Sequence, residues 1–233
     1  QAMAERGVIV RRLESIENFG SMDILCTDKT GTLTQGVVQL DGALGMDGNP
    51  SARVQLYACL NASLQSGLPN PLDEAIVQKG AQGMDEFTKV DEVPYDFVRK
   101  RLSVVVRNSV SHFMITKGAL ESVLAVCSRI QTPSGESALG ESEQARVRER
   151  FEAWSGKGYR VLGVAVKDVE SQEHPYSTKD ESEMTFAGFL LFFDPPKEGV
   201  QATIQAMAKL GVQLKVITGD NKLVARHTGQ AVG

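Results

Sequence analysis

The sequence predicts an α/β protein: a doubly wound parallel sheet interrupted by an inserted α+β domain. Three observations carry this. Two short apolar segments, one running into Asp28 and the other into Thr218-Gly219-Asp220, look like the same strand-and-turn unit near opposite ends of the 233-residue chain. Helical apolar spacing brackets the second of them, the βα alternation of doubly wound folds. The stretch between the two reads instead as hairpins mixed with amphipathic helices. With 42% of its residues hydrophobic, the chain can bury a real core, which excludes wholesale disorder.

The elements follow in order. Met22-Asp23-Ile24-Leu25-Cys26-Thr27 reads as a buried parallel strand with a polar turn at its carboxyl end. Ser51 is placed to cap a helix carrying Val54, Tyr57, Leu60 and Leu64, with Gly67 stopping it. Residues 102–107 and 112–116 flank Asn108-Ser109, a hairpin signal. Residues 119–127 are amphipathic through Leu120, Val123, Leu124 and Cys127, Pro133-Ser134-Gly135 is a turn, and 141–156 carry Val147, Phe151 and Trp154 on one face. Residues 159–166 and 185–193 read as strands. Val200, Ile204, Met207 and Leu210 give a helix, 212–217 the second parallel strand, and 222–232 another helix. The predicted organisation is therefore 1–36 and 194–233 in one domain, with 37–193 inserted. Gly36 marks one junction and Asp194-Pro195-Pro196 the other, where a rigid Pro-Pro limits the hinge.

Charge and cysteine content exclude several function classes. The formal net charge is −4, so no nucleic-acid partner is expected, despite Arg99-Lys100-Arg101. Cys26, Cys59 and Cys127 are too widely spaced for a disulfide framework or a CxxC metal site and fit a reducing compartment. His112, His174 and His227 are scattered. The longest apolar run, 186–193, is too short to span a bilayer. A first residue Gln1 rather than Met and a last residue Gly233 just after a helical pattern lead to the expectation of a piece of a longer protein.

Asp28 follows an apolar strand directly, the place where chemistry gathers in open α/β sheets. A carboxylate there can attack a phosphoryl group, given a cation such as Lys29 or Mg²⁺ to offset charge and donors from Thr30, Gly31 and Thr32 to hold phosphate oxygens. Taken alone, a strand-end Asp is more often a solvated turn residue. The run Asp28-Lys29-Thr30-Gly31-Thr32-Leu33-Thr34, however, resembles the seven-residue phosphorylation signature of P-type ATPases. Thr218-Gly219-Asp220 resembles that family's second phosphate-side motif, Asp194-Pro195-Pro196-Lys197 its hinge and Lys117-Gly118-Ala119 its nucleotide-site motif. Asn18-Phe19-Gly20-Ser21-Met22-Asp23, the block from Pro94 to Val104 and the block from Gly188 to Glu198 are similar to the bacterial magnesium-transporting members. The resemblance is weakest at 132–143 and 170–183, which read as variable surface.

What the resemblance implies is specific. The fold is haloacid-dehalogenase-like, here truncated, and Thr30 stands where phosphatases of that class carry a second Asp, so an aspartyl phosphate on Asp28 would be long-lived. Thr218, Gly219 and Asp220 complete the phosphate side. The nucleotide, ATP, stacks on Tyr95 or Phe97, with Lys117 and Gly118 beside base and ribose and with Lys100 and Arg160 as further basic residues. Gly118 would allow close approach of a ligand to the backbone. Asp73 aligns with a family acidic motif, a helix-start cap being an equally good reading. The family's later Gly-Asp-Gly-x-Asn-Asp block and its Thr-Gly-Glu loop are not in this sequence, which leaves the Asp28 carboxylate and the Thr30 carbonyl as ligands for Mg²⁺. The expectation is the cytoplasmic catalytic part of a bacterial plasma-membrane pump, most similar to magnesium transporters, with a calcium or proton pump as the alternative. The transported cation and the membrane would meet transmembrane parts absent here. A bare nucleotide-binding module and a free-standing phosphatase are the competing readings.

Overall fold

The computed structural model describes residues 5, 7, 9, 11, 12, 14–67, 70–171 and 175–232; His174 and Gly233 lie outside them. The described chain divides into two compact units. One comprises the residues up to Gly36, Pro195–Gly219 and those from Thr228 on; the other comprises Val37–Asp194 and Asp220–His227. Asp220–His227 thus groups with the larger unit.

In the smaller unit, helix α1 (Glu14–Gly20) leads to strand β1 (Ile24–Asp28). The first predicted strand pairs directly and in parallel with the second, β10 (Gln213–Ile217), in the register Ile24↔Gln213 to Asp28↔Ile217. Helix α6 (Val200–Lys209) supplies Val200, Ile204 and Met207 to a small core with Leu33, Leu214 and Val232. Leu210, predicted on the same apolar face, lies past the helix end and is exposed. Cys26, read as a buried apolar residue, is exposed on β1.

The larger unit is a mixed α/β domain around an eight-stranded sheet of β2–β9. Its main path runs β3 (Thr88–Val93), β4 (Arg101–Arg107), β5 (His112–Ala119), β8 (Arg160–Val169), β9 (Met184–Phe193), β6 (Cys127–Thr132) and β7 (Gly135–Ala138). Strand β2 (Gln39–Leu44) pairs the carboxyl half of β9 on the edge whose other half takes β6 in parallel. The predicted hairpin is β4–β5, its turn closed by Asn108, whose Oδ1 accepts from Val110 N and Ser111 N.

Both faces of this sheet are covered. Val104, Val106, Leu190 and Phe192 pack under helices α2 (Ala52–Leu64) and α3 (Pro71–Lys79). Val105, Phe189 and Leu191 pack with α4 (Leu120–Leu124) and α5 (Glu141–Ser155). That explains why 186–193 is a continuous apolar run rather than an alternating one. Ser51 caps α2 as expected, accepting from Val54 N at 3.3 Å. The helix predicted through Cys127 ends at Leu124, because Cys127 is drawn into pairing with Met184. The segment 170–183 is not all surface: Tyr176 and Glu181 are buried.

Candidate functional site

The candidate residues fall into one group in each unit. In the smaller unit Asp28 is the last residue of β1 and is exposed. Its register partner is Ile217, so Asp28 and Thr218 leave the same carboxyl end of one parallel pair, with Gly219 exposed beyond. The chain after Asp28 turns back on the carbonyl of Lys29, which accepts from Leu33 N (3.0 Å), Thr34 N (3.2 Å) and Thr34 Oγ1 (3.2 Å). A left-handed Gly31 (φ 75°) permits that turn, and its N–H donates to Thr34 Oγ1. Lys29 is buried, whereas Thr30 and Thr32 are exposed. The Pro-Pro-Lys segment braces the loop. Lys197 Nζ donates to Gly31 O at 2.5 Å, Lys197 N to Leu33 O, and Gln35 N to Pro195 O.

In the larger unit Tyr95 and Phe97 sit in the loop between β3 and β4. Their rings meet edge to face, with centroids 5.5 Å apart, and both stay exposed, Tyr95 49% and Phe97 86%. Desolvated aromatics are the rule in this unit, so an exposed pair marks a surface that a flat apolar group could cover. Asp96 shapes the loop: its Oδ1 accepts from Val98 N (2.8 Å) and Arg99 N (2.7 Å), and its other oxygen accepts from Arg99 Nε. The Arg99 amide above all, then the Val98 amide and the Arg99 side chain, hold the Asp96 carboxyl below its ordinary range, against the opposing effect of desolvation. Lys100 is exposed and has φ 51°.

Lys117 and Asp73 form a buried ion pair, 4% and 7% exposed at their side chains. Asp73 Oδ2 also accepts from Gln65 Nε2 and Asn70 Nδ2, each at 2.5 Å. Burial lowers the Lys117 pKa, and Asp73 works against that shift. Asp73 is not the helix cap. Asn70 is, accepting from Leu72 N and Asp73 N, which leaves the Asp73 carboxylate for Lys117. Beside them an open groove of about 370 Å³ is lined by Gln65, Gly67, Asn70, Asp73, Glu74 and Val77.

The close approach expected at Gly118 is made by the chain itself. A Cβ there would lie 2.4 Å from Lys100 O and 2.6 Å from Arg101 Cα. The glycine therefore lets the chain entering β4 at Lys100-Arg101 lie close against β5, its antiparallel neighbour, and places Lys100 beside the Lys117-Gly118 step, where Ala119 N donates to Lys100 O. Arg160, at the start of β8, is three residues from Gly163, the register partner of Gly118, and reaches Asp220 Oδ1 at 4.0 Å. The structure thus joins Asp28 with Thr218, Lys117 with Asp73, Gly118 with Lys100, and Arg160 with Asp220.

Three side chains near these groups were missed in the sequence. Gln65 and Asn70 hold Asp73. Glu181, buried, accepts from Arg99 Nη1 (2.5 Å), Arg101 Nε (2.9 Å) and Ser103 Oγ (2.6 Å). The cap signal of Asn70 before Pro71 was legible; Glu181 gave none. Among the described residues there is no group of three or more His, Cys, Asp or Glu able to hold a metal, and no helix long and apolar enough to cross a membrane.

Comparison with known proteins agrees with these motifs. Residues 58–199 match the family described as P-type ATPase, cytoplasmic domain N. A magnesium-transporting ATPase, P-type 1, of Salmonella typhimurium is 41% identical over 100% of this chain, and one of Escherichia coli K12 is 38% identical over 99%. A calcium-transporting ATPase of Listeria monocytogenes is 28% identical over 99%. The chain spans about a quarter of the length of the magnesium-transporting relatives, 26% in each case. The match over more than half its length shows that the chain belongs to the P-type ATPases and contains their cytoplasmic domain N.

Proposed function

We propose that this chain is the cytoplasmic catalytic part of an ATP-driven cation pump of a bacterial plasma membrane, in which ATP phosphorylates Asp28. The observation that carries the reading is the placement of Asp28. It is an exposed carboxylate at the carboxyl end of a parallel pair, with Thr218 leaving the neighbouring strand at the same end, inside a run matching the family signature. On this reading residues 1–36 and 194–233 are part of a haloacid-dehalogenase-like phosphorylation domain, and 37–193 are the nucleotide-binding domain.

An Asp28 carboxylate oxygen attacks the γ-phosphorus. The new O–P bond forms as the bond to the β,γ-bridging oxygen breaks, and ADP leaves with that electron pair. Thr30, Thr32 and Thr218 offer hydroxyls, and Gly219 an N–H, to the phosphoryl oxygens. Lys29 brings a cation next to Asp28 in sequence, and its burial keeps that charge from full screening by water. Asp28 and the Thr30 carbonyl are hard oxygen donors that suit Mg²⁺, with water completing its six positions. Mg²⁺, when bound, neutralises charge on the phosphate oxygens. Adenine stacks on the Tyr95–Phe97 pair, with Lys100, Lys117, Gly118, Arg160 and Asp73 around the nucleotide.

Magnesium is the favoured transported ion, because identity to relatives named as magnesium-transporting is 38–41% and to those named as calcium-transporting 28–29%. The test uses the whole pump containing this chain, γ-radiolabelled ATP and Mg²⁺. Acid-quenched gels should show an acyl phosphate that is lost in Asp28→Asn. Labelling that survives in that variant refutes the assignment. A second reading, a nucleotide-binding module only, is favoured for the chain by itself by the thin two-stranded sheet under Asp28.

A further inference from the structure

Among the described residues two non-glycine residues have positive φ, Lys100 (51°) and Glu183 (54°). Lysine and glutamate reach that region only at a cost, and such strain persists where surrounding contacts over-determine it. Both residues flank one side chain, Glu181. Its carboxylate has no exposure and binds Arg99 and Arg101, the neighbours of Lys100 on either side. It also accepts from Ser103, whose hydroxyl lies 2.6 Å from Thr116 Oγ1 on β5. The segment bearing Glu181 is itself fixed. Tyr176 N donates to Asp91 Oδ2 at 2.7 Å, and Lys167 Nζ donates to Asp180 O at 3.3 Å. Arg99 carries the restraint into the loop, through Asp96 and through Pro94 O at 2.6 Å.

We infer that Glu181 is a positioning residue for nucleotide recognition: through Arg99 and Arg101 it holds the 94–100 loop so that the exposed Tyr95–Phe97 pair is preset for a purine base. This rests on the reading that those rings meet adenine. Glu181 itself touches no nucleotide; its contribution is to remove the cost of ordering the loop on binding. Asp96, Arg99, Arg101 and Glu181 carry two charges of each sign, so the assembly closes without net charge.

The test uses the 233-residue chain with two variants. Glu181→Gln keeps the shape and removes the charge. Arg99→Met cuts only the loop side, leaving Arg101 and Ser103 on Glu181. Amide exchange at Val98, Arg99 and Lys100 reports the loop without any ligand, since their N–H groups are bonded to Asp96. ATP affinity is read by chemical-shift titration, with and without Tyr95→Ala. Both variants should speed exchange at 98–100 and weaken ATP binding about three- to tenfold, the scale of ordering one flexible side chain. Exchange at Ile115 and Val164 should stay slow, and neither variant should weaken binding further once Tyr95 is Ala. Three results overturn the inference: unchanged exchange and affinity in both variants, protection lost throughout the sheet in Arg99→Met, or an undiminished effect in the Tyr95→Ala background. If Tyr95→Ala itself leaves affinity unchanged, the adenine reading fails and the inference falls with it. If Tyr95→Ala weakens binding and both other variants are inert, only the positioning role fails.

Discussion

Strands β1 and β9 are both apolar in sequence, yet the structure treats them differently. β9 has ten residues, pairs on both edges, and is buried on both faces from Met184 to Phe192. β1 has five residues and one partner, and Ile24 on it and Val216 and Ile217 on β10 remain exposed. Apolar character alone therefore does not say how much a strand stabilises; the number of covered faces does. The unit bearing the nucleotide-site candidates carries its own two cores, whereas the one bearing Asp28 rests on a small cluster around Leu33 and Ile204.

The sharpest way to break this comparison is to truncate each strand pair in turn. Phe189 is fully buried, against Phe186 at 5.1 Å and Trp154 at 5.0 Å between centroids. Phe189→Ala should cost about 3–5 kcal/mol. Ile217, 64% exposed, should cost no more than about 0.5 kcal/mol as Ala. Trp154 is the single tryptophan, so denaturant unfolding followed by its fluorescence reads the larger unit directly, and amide exchange along β1 and β10 under the same denaturant reads the smaller one. Comparable shifts for the two variants would remove the distinction.

Next in size is the buried pair. Lys117→Met leaves the Asp73 carboxylate buried, which typically costs about 3–5 kcal/mol. Gln65 and Asn70 still donate to it, so the low end of that range is expected. Adding Asp73→Leu should recover most of the loss, because an apolar pair of similar volume often replaces a buried ion pair at little net cost. If the double variant is no more stable than Lys117→Met, the loss comes from packing rather than from an orphaned charge.

How much of this was legible depended on whether a signal was local. The Asn108 turn and the Ser51 cap are local patterns, and they stood in the sequence; β1 and β10 were each legible as an apolar run with a polar turn at its end, whereas their direct pairing across most of the chain was not. Strands β2 and β3 were not found, because Gln39, Asp41 and Gly42 in one and Lys89, Asp91 and Glu92 in the other break any simple alternation, and each strand contains a register shift. The motif residues Asp28, Lys117 and Thr218 were legible as motifs. That Lys117 pairs with Asp73, 44 positions away, was not. Glu181 was hidden for the same reason: it sits in a polar stretch that reads as surface, and its partners Arg99, Arg101 and Ser103 lie about 80 residues earlier. Burial of an acid is a property of the assembled sheet, and no period in the chain announces it.

A smaller effect sharpens the assignment of the exposed rings. Nucleotide recognition resting on base stacking and a few polar contacts gives an affinity on the order of 0.1 to several mM for the chain alone. Tyr95→Ala should remove about 1–3 kcal/mol of it, taking base–aromatic stacking in nucleic-acid complexes as the scale. ADP and ATP should bind about equally, with little dependence on Mg²⁺. Amide shifts clustering at Thr218 and Gly219 instead of around Tyr95 and Lys117 would reverse the division of labour between the units.

The smallest expected change is the one whose two readouts move in opposite directions. Lys100 occupies the left-handed region at φ 51°. That costs an ordinary residue about 1–2 kcal/mol, and glycine next to nothing. Glycine in turn loses about 0.5–1 kcal/mol through the greater freedom of its unfolded chain. Lys100→Gly should therefore stabilise the larger unit by a few tenths to about 1 kcal/mol. The same change deletes an exposed ammonium from the loop that presents Tyr95 and Phe97, so ATP binding should weaken while the unfolding midpoint rises. Lys100→Ala separates the two causes: it removes the charge but keeps the strain, and should weaken ATP binding to a similar degree with no gain in stability. A gain in both stability and affinity for Lys100→Gly would mean that the backbone at position 100 is a cost the fold bears without return, and that the lysine plays no part in holding nucleotide.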